Sequence, residues 1–522
     1  MSNRRNEDSA DADQIDVPGT LRLLTTHNGG GGSEDMILNP VPSSDPDQPL
    51  NWPTWRKSLN YGLLTSMTLA VFTALSIQPV FWNPMTQDLG ITYQDLANAQ
   101  AIQLVGLASS CVLFIPLTKK YGRRSTYVFS TALVAASSWW TAYMKTKVEL
   151  YLTSLLYGLA ASTTDTSIEM SINDLFFVHQ RATANGIYAV AVMGGSFLTP
   201  MIAGVQAEAQ GWRVSYMTLA GFMTAIHVIF IFFFEENKWI PTIEGTQAST
   251  YTTNGKIDLE AAPSATPSTW QRYRHAMRFL TQTDESLLKL AIAPVYTCFM
   301  PHVVFGWLQL ASGVCWLVVL SSVLTIVFAA PPYNFNPAQV GYMYTGPTIG
   351  TILSFFYGGP LTDWAIVRLS RRSGGVFEAE MRLYPLILPA IVSTGGLIMF
   401  GATADRGMHY IYPSIGGAMF AFGFGSTTDI SLTMVLDAFP LLVGQTFVAI
   451  TFFRCAISII GPFTITPWLD RVGVTNVFIM CGFINLFINS LGIPLAIWGK
   501  KARILLAPRY RKLSAELADC HV

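Results

Sequence analysis

The chain has 522 residues, of which 51% are hydrophobic and 12% charged, and its mean hydropathy is +0.38. Lys plus Arg and Asp plus Glu are 32 each, so the formal net charge is zero. A charged share about half that of soluble proteins cannot clothe a water-soluble fold of this size, and no basic footprint for nucleic acid exists; both classes give way to a membrane protein with many spans.

Residues 1–50 open on MSNRRNEDSADAD, later carry four consecutive glycines, and show no secretory signal. They cannot bury enough apolar surface to fold alone and read as a disordered cytoplasmic tail. A spanning helix needs about 20 mostly apolar residues. That ruler predicts twelve spans, centred on 59–80, 97–117, 125–143, 149–171, 186–206, 214–234, 301–329, 339–359, 384–402, 411–434, 443–468 and 475–498. The shorter apolar fragment 287–300 fits an interfacial helix feeding the seventh span. A polar stretch over 235–286, rich in Ser, Thr and Pro, divides the spans six and six and reads as a cytoplasmic linker. The expected domains are a bundle over 51–234, a bundle over 287–499 and a cytoplasmic tail over 500–522. The six cysteines scatter through apolar stretches, apart from Cys520 in the tail, and read as small hydrophobes rather than disulfide partners.

Charge sets the orientation. With the N-terminus inside, the inner short loops carry Lys119, Lys120, Arg123, Arg124, Arg181, Arg368, Arg371, Arg372 and Arg382, against Lys145, Lys147, Arg213, Arg406 and Arg471 outside. Both flanks agree, so the positive-inside rule puts both termini in the cytoplasm. The cell membrane is the expected site, with a vacuolar membrane as the alternative, and the protein is expected to be a monomer.

Six plus six spans invite a search for internal repeats. The loop after the second span reads Pro116-Leu117-Thr118-Lys119-Lys120-Tyr121-Gly122-Arg123-Arg124-Ser125. The loop after the eighth reads Gly359-Pro360-Leu361-Thr362-Asp363, then Arg368 and Arg371-Arg372-Ser373. Both fall at the inner end of the second span of their half. In the fifth span Gly186, Gly195, Pro200 and Gly204 are spaced so that small residues permit close helix approach and the proline bends the rod.

On these residues the chain resembles a major facilitator superfamily transporter over about residues 50–510. The family loop signature G-x-x-x-D-R-x-G-R-R keeps Lys120, Gly122, Arg123 and Arg124 here, but has Ile115 for the first Gly and Lys119 for the Asp. The second-half copy keeps Gly359, Leu361 and Asp363. The fifth span matches the antiporter pattern G-x8-G-x3-G-P-x2-G-G at Gly186, Gly195, Pro200 and Gly204, with Thr199 and Ala203 in the other two places. The segments Pro49-Leu50-Asn51-Trp52-Pro53, Asp174 to Arg181, Pro331 to Phe335 and Glu380 to Leu383 are similar to the fungal twelve-span drug:proton antiporter-like branch. The resemblance implies an all-α membrane fold of twelve helices in two six-helix bundles, alternating access, and proton-linked export. The family often has an Arg in the fourth span where this chain has Ser154.

Ionisable residues inside spans are costly and call for a role. In the fourth span Asp165 and Glu169 lie one turn apart on one face, an arrangement that suits a proton carrier; pairing with Arg181 or another basic loop residue is the alternative. Arg454 in the eleventh span and Asp429 in the tenth match in depth and form a candidate pair, either structural or on the transport path. Asp437, nearer the inner end, is expected to be solvated. Tyr157, Trp307 and Trp316 are candidate cavity aromatics for a bulky, weakly polar or cationic organic substrate. The expected partners are the lipid bilayer, a small organic molecule and protons, with no nucleic acid and no cofactor. Neither a G-x4-G-K-[ST] loop nor an H-E-x-x-H helix occurs, so enzyme and primary-pump readings fall. The competing functions are proton-coupled uptake of a small cation such as a polyamine and a membrane sensor that has lost transport.

Overall fold

The computed structural model describes residues 20–22, 49–176, 178–237, 292, 294–372 and 376–518. The expected linker from 238 onward and the fragment 287–291 lie outside the described residues, as do the side chains of Asp165, Glu169 and Arg181.

The chain is a sequence of helical rods. The first half holds α1 (Thr54–Ser76), α2 (Tyr93–Tyr121) and α3 (Arg123–Tyr143). It continues with α4 (Lys147–Ser162, Thr163–Ser167 and Ile168–Leu175), α5 (Val178–Met193, Gly194–Leu198 and Thr199–Gln210) and α6 (Trp212–Phe233). The second half holds α7 (Pro301–Ala329) and α8 (Pro337–Tyr342, Thr345–Phe356, Tyr357–Leu361 and Thr362–Arg372). After a 3-10 turn Ala379–Leu386 come α9 (Ile387–Asp405), α10 (Ile411–Ala438), α11 (Val443–Ser458 and Ile460–Val472) and α12 (Val474–Ser490 and Gly492–Ala518). Every span predicted from hydropathy falls on one of these rods. Among the described residues, nine helical runs are long and apolar enough to cross a membrane by length and composition.

The three rods outside that set are α3, α4 and α8. α3 is rich in hydroxyls, but Ser137, Ser138 and Thr141 donate to the carbonyls of Leu133, Val134 and Ser137, so apolar surroundings cost them little. α4 and α8 are interrupted by π-turns at Thr163–Ser167 and Tyr357–Leu361, the kind of local widening that gathers at functional sites.

Backbone-level approach binds the second and fourth rods of each half, which is the repeat expressed in space. In the first half a Cβ on Gly158 of α4 would overlap the Gln103 carbonyl of α2, and one on Gly106 would lie 2.5 Å from the Leu155 oxygen. In the second half Gly346 and Gly350 of α8 meet the Ser414 and Ala418 carbonyls of α10. Small residues allow such contacts where lipid supplies no hydrophobic drive between helices. The faces turned away are apolar and exposed, as at Phe222, Phe232, Ile391, Phe483 and Phe487, and suit hydrocarbon.

Three boundaries differ from expectation. Thr20–Arg22, within the tail read as disordered, forms β1 and pairs antiparallel with β2 (Val376–Glu378), with Thr20 opposite Glu378. Glu235 and Glu236, assigned to the linker, are instead bound to the first half, Glu235 holding Arg56 and Glu236 the start of α3, and Asn237 beside them is buried. α12 continues through the segment read as a tail to Ala518, with Arg503 fully buried. A further helix, Trp82–Leu89, follows α1; its indole and Met85 are buried, and Gly90 ends it at φ 64°.

Candidate functional site

One end of the rods carries the repeated basic loops. Gly122 joins α2 to α3 at φ 95°, a conformation that β-carbon residues rarely adopt, which explains the glycine of the motif. The loop signature lacks its usual acid, yet acids arrive from elsewhere in the chain. Arg123 pairs with Asp174 at the end of α4 at 2.6 Å. Glu236 accepts the backbone N–H groups of Arg123 and Arg124 at 2.9 and 3.1 Å, placing a carboxylate at the N-terminus of α3 where the helix dipole favours it. The Arg124 guanidinium donates to the Ile231 carbonyl.

The second half repeats the theme. Arg382 reaches Asp363 at 3.1 Å and is also paired with Asp437. Asp437 is thus held by an ion pair rather than left to solvent, because the 3-10 turn before α9 swings Arg382 over it. Gly359 of the motif has open space beside it, whereas its neighbour Gly358 is the packed glycine. Nearby, Glu380 is bound by Arg503 through Nε at 2.8 Å and again through Nη2, while His302 Nε2 lies 3.1 Å from Glu380 Oε1. The Glu380 and Arg503 side chains are 5% and 0% exposed. Burial of the charge is offset by these bonds, which hold its carboxylate well ionised.

At the opposite end the two halves meet through α5. A Cβ on Gly195 would lie 2.6 Å from the Leu69 oxygen of α1, and one on Gly204 would lie 2.5 Å from the Pro337 oxygen of α8. Reciprocally, a Cβ on Gly341 would lie 3.0 Å from the Pro200 oxygen. Gly186, nearer the basic end, faces the Phe355 ring at 3.7 Å. A hydrogen bond from Ser322 of α7 to Gln100 of α2, 2.9 Å long and buried, adds to this seam. The four small residues read from sequence therefore line contacts between rods, and three of them sit where the halves touch. Among the described residues every ion pair joins groups of one half.

Inserting a side chain at Gly204 tests this seam. Gly204→Leu presses on a backbone oxygen at a cost of about 1–3 kcal/mol, enough to move a conformational equilibrium about tenfold or more. A cysteine substituted for Val80, which is 1% exposed and lies beside Gly204, should then become reactive to a water-soluble maleimide. Unchanged protection would mean that the seam does not part.

The intramembrane charges are arranged differently from the sequence pairing. Asp429 makes no ion pair with Arg454. Its carboxylate lies against Gly358 of α8, where a Cβ would approach Oδ2 to 2.8 Å. Which way a group points depends on rotation about the helix axis, which is invisible in sequence. The π-turn that carries Asp165 packs at backbone level against the part of α11 that carries Arg454. Among the candidate aromatics, Tyr157 is buried in the first half and donates to Ser138 at 3.1 Å. It borders a small cavity with Gln78, Gln103, Thr141, Thr153, Ser154 and Tyr216. Ser154 thus faces neutral groups where the resembled family often has an Arg. Trp307 donates to the Cys298 carbonyl and stacks on Phe453 at 5.1 Å, while the buried Trp316 Nε1 has no hydrogen-bond partner among the described residues.

Comparison with protein families decides the larger question. The family model described as Major Facilitator Superfamily matches residues 63–462. The chain belongs to the major facilitator superfamily. An uncharacterised MFS-type transporter of Schizosaccharomyces pombe is 25% identical, covering 95% of this chain and 94% of its own. Protein HOL1 of Saccharomyces cerevisiae is 24% identical over 96% of this chain and 98% of its own. A protein of Penicillium aethiopicum named an efflux pump, vrtL, is 22% identical over 89% and 90%. As a major facilitator protein the chain is a multi-pass membrane transporter of small molecules. Glu236, Glu380, His302 and Arg503 were not singled out as a functional set in sequence; the Glu380-Met381-Arg382-Leu383 segment was the one signal that pointed near them.

Proposed function

We propose that this transporter exports a small organic molecule in exchange for protons by alternating access, with both chain ends in the cytoplasm. The observation that carries the reading is the α5 seam: Pro200 and Gly204, in the segment similar to the antiporter pattern, make backbone-close contacts with α8 of the other half, at the end opposite the basic loops. A seam of small residues can close tightly and still part, whereas interlocked large side chains or ion pairs would hold the halves together. The ion pairs seen among the described residues join groups of one half, so rocking of one half on the other leaves those pairs intact. The aromatic and neutral polar groups of the interior suit a weakly polar or cationic organic molecule. Export in particular is supported by the α5 pattern and by the efflux-pump name of the Penicillium relative. The excess of Lys and Arg at the basic end supports a cytoplasmic location for that end, and the plasma membrane is the proposed site. Asp165, in the π-turn of α4, is the proposed proton carrier of the first half, with Glu169 one turn away.

The test is flux in sealed membrane vesicles of known orientation, with rhodamine 6G as the probe and a pH gradient imposed or collapsed. The gradient should drive probe movement away from the cytoplasmic face, and Asp165→Asn should lower it by about two orders of magnitude while the protein stays folded. Gradient-driven movement toward the cytoplasmic face would replace export by uptake. Full gradient-driven flux in Asp165→Asn would remove the proton role from that residue.

A further inference from the structure

The contact between α8 and α10 runs as a ladder with four-residue steps along α8. Gly346 meets the Ser414 carbonyl, Gly350 the Ala418 carbonyl and Ser354 the backbone of Gly425, where a Cβ would overlap the serine hydroxyl. The fourth rung is Gly358, in the π-turn, and it meets not a carbonyl but the Asp429 carboxyl. We propose that Asp429 is a proton-binding carboxyl of the second half, and that its protonation is tied to the closing of α8 onto α10 at Gly358. The proposal deepens the proton-exchange reading above and rests on it, adding a second site at a residue that the sequence offers as one member of a candidate charge pair.

The surroundings support a group that must exchange its proton. The Asp429 carboxyl is partly buried and has no hydrogen-bond or ion-pair partner among the described residues. The charged and titratable groups on the neighbouring rods are engaged elsewhere or lie apart. On α10 itself, Asp437 is held by Arg382, which also holds Asp363 of α8. On α8, the Tyr357 hydroxyl donates to the Pro385 carbonyl at 2.9 Å. α9 presents no acid, base, Tyr or Cys before Asp405. On α7, His302 faces Glu380, and the Cys315 thiol lies against Gly461 of α11. On α11, Arg454 makes no ion pair with Asp429, and Cys455 is fully buried.

A carboxylate pressed against a glycine backbone with no donor in reach is poorly solvated, whereas the neutral acid fits there. Ionisation is therefore favoured by fuller hydration of the rung, which separation of α8 and α10 supplies. Loading of the proton then favours the closed rung and release favours the parted one, so proton transfer and helix movement become one event. Gly358 is the positioning residue: any larger side chain holds the rung apart.

The experiment uses the full chain in lipid nanodiscs and dicyclohexylcarbodiimide, which adds to protonated carboxyls in apolar surroundings, with the adduct located by peptide mass spectrometry. From about pH 6 to about pH 9 the wild type should carry the N-acylurea on Asp429, and labelling should fall as pH rises. Infrared difference spectra should show a protonated-carboxyl band that is lost in Asp429→Asn, a reading that does not depend on reagent access. Gly358→Ala should lower labelling at neutral pH about three-fold or more, by admitting water, in protein that still elutes as a folded species. Absence of the infrared band from the wild type, or labelling of Asp429 that does not change with pH, overturns the proposal. Neither outcome bears on the direction of transport, so failure here and failure of the export reading remain distinct.

Discussion

Substituting methionine for Arg503 should destabilise the purified protein by about 3–5 kcal/mol, the cost of leaving a buried partner charge uncompensated. Arg503 is fully buried on α12, far along a segment whose sequence reads as a polar tail. Its guanidinium binds Glu380 through two nitrogens and reaches Thr20 of the N-terminal strand at 3.3 Å. Glu380 in turn faces His302 at the start of α7, and the absence of a side chain at Gly499 leaves room for it. Removing the guanidinium leaves Glu380 with His302 as its side-chain partner among the described residues. Removing both charges, as Glu380→Gln with Arg503→Met, should recover most of the loss, because no lone charge is then buried. Thermal unfolding followed by tryptophan fluorescence reads both. A single variant that melts with the wild type would show that water, rather than Arg503, neutralises Glu380.

The second large effect belongs to Gly158. A Cβ there would overlap the backbone carbonyl of Gln103, and the Leu107 nitrogen would lie 2.9 Å away. Neither neighbour is a flexible side chain that could step aside, so Gly158→Leu must push α4 off α2. We expect a cost of about 4 kcal/mol or more and loss of the monodisperse peak in size-exclusion chromatography. Gly62→Leu is the control. Gly62 has no atom within 4 Å of its Cβ position and should tolerate the same change. If both variants elute alike, the α2–α4 approach does not limit folding. The same reasoning separates Gly358 from Gly359: adjacent in sequence, one packed against Asp429 and the other open.

The loop motifs show how far a linear reading carries. Gly122 was legible because a turn between two rods needs a backbone that only glycine adopts easily, and its φ is 95°. The fate of the motif arginines was not legible. The signature's own acid is replaced by Lys119, yet Arg123 finds Asp174, and Glu236 caps α3 from 113 residues away along the chain. The small residues of α5 were legible as small; that Gly204 and Pro200 face the other half, and Gly195 faces α1, was not. Matching depths suggested Asp429 and Arg454 as a pair, and the structure sets Asp429 against Gly358 instead.

What the sequence determined by itself is the class of molecule, the twelve rods, the six-and-six division and the end that gathers positive charge. Each of these follows from a sum over consecutive residues, since transfer of a segment into hydrocarbon depends on its own side chains and hardly on its neighbours in space. Only the tertiary structure decided which charges pair and which glycines meet a neighbouring backbone. Those outcomes depend on the rotation of each rod about its axis and on groups such as Glu380 and Arg503, 123 positions apart, coming within about 3 Å, where desolvation and hydrogen bonding are settled together.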